Sequence, residues 1–173
     1  MDEKTIKRKL VYAGKILNLR VDRVLMSNGR EAIREIVEHP GAVAIVPVLP
    51  DGRIILVQQY RKPVEGVLLE IPAGKLEKGE SAKACAIREL EEETGFRAGK
   101  IKKILEFFPS PGFSNESIHL FEARVLKKSR KNLQDDELIE VVSLTVSEIV
   151  RLINKGKIKD AKTIIGILSL ERA

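Results

Sequence analysis

GKLEKGESAKACAIRELEEETGF, residues 74–96, carries the strongest structural signal in this chain. Two glycines near its start indicate a tight loop, because glycine adopts backbone angles that other residues avoid. Ser81 is a typical N-cap, and the alanines and long side chains after it predict a helix over residues 82–94. Gly95 is the residue type that ends such a helix in a left-handed conformation. The stretch therefore predicts a loop, a helix and a stop.

Three glutamates of this predicted helix share one side. At about 100° per residue, Glu89 and Glu93 lie about 40° apart and one turn from each other, and Glu92 lies about 60° from Glu89. Small alanine and cysteine side chains lie near the same azimuth, so this side is expected to pack on a sheet. Crowded carboxylates repel one another, and Mg²⁺ relieves the repulsion because it prefers oxygen ligands together with substrate phosphates. We therefore expect Glu89, Glu92 and Glu93 to bind Mg²⁺, with Mn²⁺ as a substitute.

An isolated run of glutamates on a helix can also be a solvated acidic face. Two features distinguish this run from such a face. Arg88 precedes Glu92 by four positions, so it is expected to pair with Glu92 and hold its rotamer. The run also belongs to a longer arrangement with fixed spacings. Its members are Gly74, Glu80, Arg88, Glu89, Glu92, Glu93 and Gly95, with apolar Leu90 and Phe96.

This arrangement resembles the Nudix box, and the chain is similar to Nudix hydrolases over most of its length. Those enzymes split a diphosphate bond inside a nucleoside diphosphate that is joined to another group. The resemblance implies an α/β/α sandwich with a mixed sheet. It also implies that the backbone carbonyl of Ala73 is a metal ligand, that Lys75 lies near the substrate, and that Glu92 serves catalysis as well as metal binding.

A second motif, SPGFSNE, begins at Ser110 and places Pro111 sixteen positions after Gly95. By itself it would be an ordinary turn between two strands. Nudix enzymes that hydrolyse ADP-ribose carry a similar proline at that distance, so the chain resembles the ADP-ribose pyrophosphatase family. The resemblance implies that Ser110, Pro111, Gly112 and Glu116 hold the terminal ribose side of the substrate.

The same resemblance extends to two arginines and an acidic loop. Arg34 matches an arginine that the family uses beside the adenine, and Arg61 matches a clamp on the diphosphate, with a surface salt bridge as its alternative role. Asp135 and Glu137 lie in a segment that resembles a loop with a catalytic carboxylate in the family. Either one could accept a proton from the attacking water or orient it, and a plain polar surface loop is the alternative.

The rest of the chain is organised as strands with two late helices. Asn28 and Gly29 predict a hairpin turn among the first strands. Thr145 with Glu148 predicts a capping box, and Asp160 predicts the cap of a last helix. The predicted strands cover residues 5–13, 16–26, 31–38, 42–49, 53–60, 67–71, 101–108, 118–126 and 140–144, and the late helices cover 145–155 and 160–169. This order indicates an α/β (α+β) fold with a mixed sheet between helices.

Two domains are expected in this arrangement. Residues 1–40 would form a small antiparallel β segment, which seldom buries enough apolar surface alone and must dock on the main domain or on a partner subunit. Residues 41–173 would form the Nudix hydrolase domain. Relatives with such a segment are homodimers in which it completes the adenine site of the partner, so the resemblance implies a homodimer here.

The composition is typical of a globular protein: of 173 residues, 43% are hydrophobic and 32% are charged. The charged start of the chain lacks the apolar core of a signal peptide, and the longest apolar stretch, residues 42–49, is too short to cross a bilayer. We therefore expect a soluble cytoplasmic protein without a membrane partner. Cys85 is the only cysteine, and it is either a small buried side chain or a catalytic thiol.

The net charge of +6 raises the question of a nucleic-acid partner. Basic residues are dispersed along the chain, and the aromatic residues are two Tyr and five Phe, without Trp. A base-stacking platform on a basic surface is therefore not indicated. We interpret the charge as a source of solubility and of attraction for a polyanionic small molecule.

Taken with the resemblance, these patterns predict an Mg²⁺-dependent ADP-ribose diphosphatase that releases AMP and ribose 5-phosphate. Another nucleoside diphosphate derivative is the alternative within enzymes, namely a nucleotide sugar, a dinucleoside polyphosphate, NADH or FAD. A non-catalytic nucleotide-sensing domain is the alternative from another class, and the complete set of box carboxylates disfavours it.

Overall fold

The computed structural model describes residues 2–129 and 138–170, and within them the chain forms ten strands and three α-helices. A short 3-10 turn, Lys62–Val64, follows the fifth strand. The strands are β1 Glu3–Ala13, β2 Asn18–Met26, β3 Glu31–Glu38, β4 Ala42–Pro47, β5 Ile54–Arg61, β6 Gly66–Glu70, β7 Ala73–Lys75, β8 Phe96–Phe107, β9 Ile118–Lys128 and β10 Ile139–Leu144. The helices are α1 Ala82–Thr94, α2 Val146–Asn154 and α3 Ala161–Leu170.

The chain divides into two compact units. The first comprises Met1–Gly41 and Phe108–Ser117, and the second comprises Ala42–Phe107 and Ile118–Ala173. The segment 108–117 thus groups with the N-terminal strands, whereas the sequence places it in the domain 41–173. The division into domains 1–40 and 41–173 stays a prediction.

The first unit is built on an antiparallel sheet in the order β1-β2-β3. The predicted hairpin turn between β2 and β3 is confirmed, because Gly29 has a φ of 81° and its N–H donates to the Met26 carbonyl at 2.9 Å. The segment 108–117 runs along β3: Val37 N–H donates to the Phe113 carbonyl at 2.8 Å, and Asn115 N–H donates to the Val37 carbonyl at 3.2 Å.

The second unit contains two sheets. A four-stranded mixed sheet has the order β7-β4-β9-β8, with β4 and β9 parallel, and an antiparallel sheet has the order β10-β5-β6. Side chains alternate along β4, so Val43 and Ile45 pack with α1 residues while Ala44 and Val46 pack in a second cluster with residues of α2 and α3. The continuous apolar run of β4 is explained by this burial on both faces, and the predicted α+β fold with a mixed sheet is confirmed.

The element boundaries agree with the sequence prediction to within two residues except at two places. Strand β8 begins five residues earlier than the predicted strand at 101, since residues 96–100 continue the antiparallel ladder with β9. The loop predicted before α1 contains strand β7, whose Ala73 and Gly74 pair with Ala44 and Val43 of β4. The sequence indicated a loop because Gly74 and Gly79 bracket this segment, but the neighbouring strand β4 supplies a pairing partner for Ala73–Lys75. Among the described helices, none has the length and apolarity needed to cross a membrane.

Candidate active site

Helix α1 is the scaffold of the site. Its N-cap is Ser81, whose hydroxyl accepts from Ala84 N–H at 3.2 Å, and it ends at Gly95, which has a φ of 72° and donates to the Glu91 carbonyl at 2.9 Å. Both predicted ends are confirmed. The helix is anchored on the mixed sheet by buried Leu90 and its small neighbours. Its glutamates therefore occupy fixed positions beside the sheet.

Arg88 binds three carboxylates at once. Its Nε and Nη2 donate to the two oxygens of Glu80 at 3.0 Å each, and its Nη1 donates to Glu89 at 2.7 Å and to Glu92 at 3.0 Å. The predicted pair of Arg88 with Glu92 is confirmed. The hydrogen bonds from Arg88 lower the pKa of Glu80 to about 2, and the same bonds raise the pKa of Arg88 above its ordinary value. Glu80 and Arg88 are therefore both charged at neutral pH.

Gly74 and Ala73 of β7 lie against the helix glutamates. A Cβ placed on Gly74 would lie 1.9 Å from Cδ of Glu89, so the Glu89 carboxyl group fills the space that any side chain at 74 would take. Ala73 N–H donates to Glu93 Oε2 at 3.2 Å, and Glu93 is only 4% exposed. The structure therefore places Glu93 against the Ala73 backbone and Glu89 against Gly74, and the metal-binding roles of Ala73, Glu89 and Glu93 stay predictions.

These donors fit a hard divalent cation by their chemistry, because carboxylate and carbonyl oxygens are what Mg²⁺ prefers. Among residues 2–129 and 138–170, no group of three or more His, Cys, Asp or Glu side chains is arranged to hold a metal ion. Glu92 is turned toward Arg88, so a bound cation would have to compete with Arg88 for Glu92.

Arg61 stands at the end of β5, beside this group. It donates from Nε and Nη2 to the two oxygens of Glu70 at 3.0 and 2.8 Å, and Lys162 donates to Glu70 at 2.6 Å. The Glu70 hydrogen bond raises the pKa of Arg61, and the charge of Glu93 adds to this rise, which places Arg61 within electrostatic reach of Glu93. The pair is not an ordinary surface salt bridge, since the Glu70 side chain is 2% exposed.

Burial by itself would raise the pKa of Glu70. The hydrogen bond from Arg61 and the charge of Lys162 overcome that effect and hold the pKa of Glu70 below its ordinary value. The Glu70 carboxylate is therefore charged, and both of its oxygens accept hydrogen bonds. Sequence reasoning missed both Glu70 and Lys162, because they lie 92 positions apart and only the fold brings them into contact.

Two further predicted positions lie close to the helix. Lys75, at the end of β7, is exposed. Cys85 is fully buried, and burial is the main cause that raises the pKa of its thiol to about 12. A thiol with that pKa stays protonated at neutral pH, so Cys85 is a core residue of α1 and not a nucleophile.

The residues predicted to hold the ribose and the adenine lie in the first unit. Ser110 begins a turn in which its carbonyl accepts from Phe113 N–H at 3.3 Å and from Ser114 N–H at 3.0 Å. Pro111 and Gly112 form the exposed tip of that turn. Glu116 lies 3.6 Å from Nδ1 of His39. The hydrogen-bonded turn therefore contains Ser110, Pro111 and Gly112, and Glu116 follows it.

Arg34 lies on β3 of the same unit and forms an ion pair with Glu3, to which its Nε donates at 3.0 Å. His39 is held in place, because its Nδ1 accepts from Gly41 N–H at 3.2 Å. A cavity of about 370 Å³ is lined by residues 14–18 and 38–40, including Ile16 and Leu17. The two acidic residues Asp135 and Glu137 lie outside the described residues.

Comparison with protein-family models gives two matches that together cover most of the chain. Residues 38–165 match the NUDIX domain. Residues 3–37 match the nucleoside diphosphate sugar hydrolase N-terminal domain.

Three curated relatives show the range of names among similar proteins. ADP-ribose pyrophosphatase of Bacillus subtilis (strain 168) is 45% identical over 173 residues, which cover 99% of this chain and 94% of that protein. Methanol dehydrogenase activator of Bacillus methanolicus is 44% identical, with 98% of this chain and 93% of that protein covered. GDP-mannose pyrophosphatase of Yersinia enterocolitica is 37% identical over 145 residues, with 78% and 75% covered.

A solved structure described as that of an ADP compounds hydrolase superposes with a TM-score of 0.88, covering 99% of this chain and 94% of that chain. Its sequence identity to this chain is 21%, so the likeness concerns the fold.

Proposed function

The chain belongs to the Nudix family, and from this premise we propose that it hydrolyses ADP-ribose to AMP and ribose 5-phosphate with the help of Mg²⁺. The observation that carries the proposal is the arrangement of the box glutamates of α1 on β7, with Glu89 seated against Gly74 and Glu93 bonded to the Ala73 N–H. The 45% identity to an ADP-ribose pyrophosphatase over nearly the whole chain supports the choice of substrate.

We assign the metal to Glu89, Glu92 and Glu93 with the backbone carbonyl of Ala73. A divalent cation there would offset the negative charge of the diphosphate and lower the pKa of a bound water. Side chains of the protein would make the other contacts with the diphosphate. Arg61 would donate hydrogen bonds to a diphosphate oxygen, because its side chain is partly exposed. It also interacts electrostatically with Glu93, one of the glutamates assigned to the metal.

The attacking water must lose a proton as its oxygen bonds to phosphorus and the bridging P–O bond breaks. Asp135 or Glu137 would accept that proton or orient the water. In the first unit, Arg34 would lie beside the adenine, and Ser110, Pro111, Gly112 and Glu116 would hold the terminal ribose. Lys75 would lie near the phosphates of the substrate. These roles stay predictions, and each is open to single substitution.

A second candidate substrate class is the nucleotide sugars. It is favoured by the match of residues 3–37 to the N-terminal domain of nucleoside diphosphate sugar hydrolases and by the relative named GDP-mannose pyrophosphatase. The box residues serve both classes, so only measured rates separate them. A panel of ADP-ribose, GDP-mannose, NADH, FAD and a dinucleoside polyphosphate, compared by kcat/KM, decides between the classes.

We also propose that the protein is a homodimer formed through the N-terminal strands. Every residue of β1 is exposed, including apolar side chains that would be costly to leave in water. Those apolar side chains include Ile6, Leu10, Val11 and Tyr12, each at least half exposed.

We propose a cytoplasmic location as well. The single cysteine excludes an intrachain disulfide, which is compatible with that location, and cell fractionation would test it.

The central test of the proposal is turnover of ADP-ribose. The purified protein should release AMP and ribose 5-phosphate only when Mg²⁺ is present, as followed by chromatography. Glu93→Gln should reduce kcat by at least about a hundredfold, since it removes a charge assigned to the metal. Equal rates for the wild type and Glu93→Gln, or no turnover by the wild type, would contradict the proposal.

A further inference from the structure

A charge network joins the end of β5, the end of β6 and the start of α3. Glu70 Oε2 accepts from Arg61 Nη2 at 2.8 Å and from Lys162 Nζ at 2.6 Å. Lys162 also donates to Asp160 Oδ1 at 2.8 Å. The Glu70 side chain is 2% exposed and that of Lys162 is 15% exposed. Two cations from distant parts of the sequence therefore share one buried carboxylate.

Arg61 is the member of this network that faces outward, with a side chain that is 36% exposed. In the part of the chain that the structure describes, its hydrogen bonds all go to Glu70, through Nε and one hydrogen of Nη2. The two hydrogens of Nη1 and the second of Nη2 remain available to a ligand. Because the guanidinium is planar and rigid, fixing its Nε side also fixes the direction of its other edge.

Helix α3 holds the Glu70 segment at two adjacent residues. Lys162 binds the Glu70 carboxylate, and the Thr163 hydroxyl accepts from Ile71 N–H at 2.8 Å. Asp160 ties both contacts together, since it accepts from Lys162 and from the Thr163 hydroxyl at 2.5 Å. The carboxylate that orients Arg61 is thus fixed by the first turn of α3 and cannot rotate away without breaking these bonds.

We propose that Glu70 and Lys162 are positioning residues, which aim the open edge of the Arg61 guanidinium at the diphosphate of the substrate. The inference rests on the proposed function and on the role assigned there to Arg61. Neither residue need touch the substrate. The C-terminal helix α3, which lies far from the box in sequence, then tunes substrate binding through Arg61.

Steady-state kinetics of five purified variants, the last of them Arg61→Met alone, test this proposal. Lys162→Met should raise KM for ADP-ribose about tenfold while kcat changes by less than about twofold, because ground-state and transition-state binding are weakened alike. Lys162→Arg should restore most of the affinity. Lys159→Met removes a nearby exposed lysine and should leave both constants unchanged. Thermal melting of each variant shows that it is folded, and Lys162→Gln replaces Lys162→Met if the latter does not fold.

The fourth variant combines Lys162→Met with Arg61→Met and asks whether Lys162 acts through Arg61. If it does, the double variant has the same KM as Arg61→Met alone, whereas independent effects would multiply. An unchanged KM in Lys162→Met, or a multiplied effect in the double variant, overturns the positioning role while leaving the proposed function intact. A wild-type protein that does not hydrolyse ADP-ribose overturns the proposed function, and the inference falls with it.

Discussion

At the scale of single residues, Gly74 matters because of the side chain that it lacks. The Glu89 carboxyl group occupies the position where a Cβ would be, 1.9 Å from an ideal Cβ. The sequence identified Gly74 as part of a loop and of the box, but it could not reveal this reason. Which carboxylate fills the space depends on the packing of α1 on β7, and sequence spacing carries no information about that packing.

Gly74→Ala should therefore displace Glu89 and lower kcat/KM for ADP-ribose by about a hundredfold, the cost of misplacing a catalytic group by roughly 1 Å. The matched control is Gly66→Ala, since the nearest atom to a Cβ at Gly66 is the Val64 carbonyl oxygen at an ordinary 3.6 Å. Near-normal kcat/KM in Gly74→Ala would show that Glu89 can move without loss.

Arg88 shows how much of a contact network can be anticipated. Its pairing with Glu92 was predictable, because a spacing of four on a helix brings side chains together. Its two-oxygen contact with Glu80 was not predicted, since Glu80 precedes α1 and the path of the loop decides where its carboxylate lies. The role of Glu80 as the main cause of the raised pKa of Arg88 emerges only from the fold.

The lowered pKa of Glu80 has a consequence for stability. The ordinary pKa is 4.5 and the folded one is about 2, so the Glu80 carboxylate stabilises the folded state above about pH 4.5. This contribution is lost as the pH falls from about 4.5 to about 2. Urea unfolding of the wild type and of Glu80→Gln should thus give midpoints that differ at about pH 6 and converge toward about pH 3. A difference that does not vary with pH would show that charge is not the cause.

At the scale of secondary-structure elements, the helices could be predicted from their capping residues, whereas the strands could be predicted less completely. Local signals such as Ser81 and Gly95 fix a helix, because the capping bonds are made within a few residues. The capping box of α2 was predictable for the same reason, and both its bonds are present between Thr145 and Glu148. Strand β7 was missed because its pairing with β4 depends on residues about thirty positions away.

Thr145→Ala should destabilise the protein by about 1 kcal/mol, because it leaves the Glu148 N–H without its side-chain acceptor. For a chain of this size that corresponds to a fall in Tm of about 3 °C in a thermal melt. Thr145→Ser, which keeps the hydroxyl, should melt close to the wild type, and kcat should change in neither variant. A Tm for Thr145→Ala equal to that of the wild type would mean that the cap contributes nothing.

At the scale of the whole molecule, the exposed apolar side chains of β1 are the feature that an isolated chain leaves unexplained. The sequence predicts the strand that carries them, whereas their exposure could not be predicted from it. The homodimer proposed above would bury them. Exposure of this kind is a property of the complete fold, since it depends on every other segment that does or does not cover the strand.

Leu10→Asp should accordingly shift the protein from dimer to monomer in light scattering, because it would bury a charge in the interface. Val64→Asp is the matched control: Val64 is 60% exposed in the second unit, and the change should leave the mass unaltered. A wild-type protein that scatters as a monomer at micromolar concentration would refute the dimer.

Cys85 offers a practical consequence of burial. It is the single thiol of the chain, has no accessible surface and sits where α1 meets the mixed sheet. Reagents that alkylate thiolates can reach Cys85 only when α1 separates from the sheet. The rate of alkylation therefore reports how often the contact between α1 and the sheet opens. The alkylation rate of Cys85 therefore measures local opening of the helix that carries the glutamates. No label has to be engineered for this measurement.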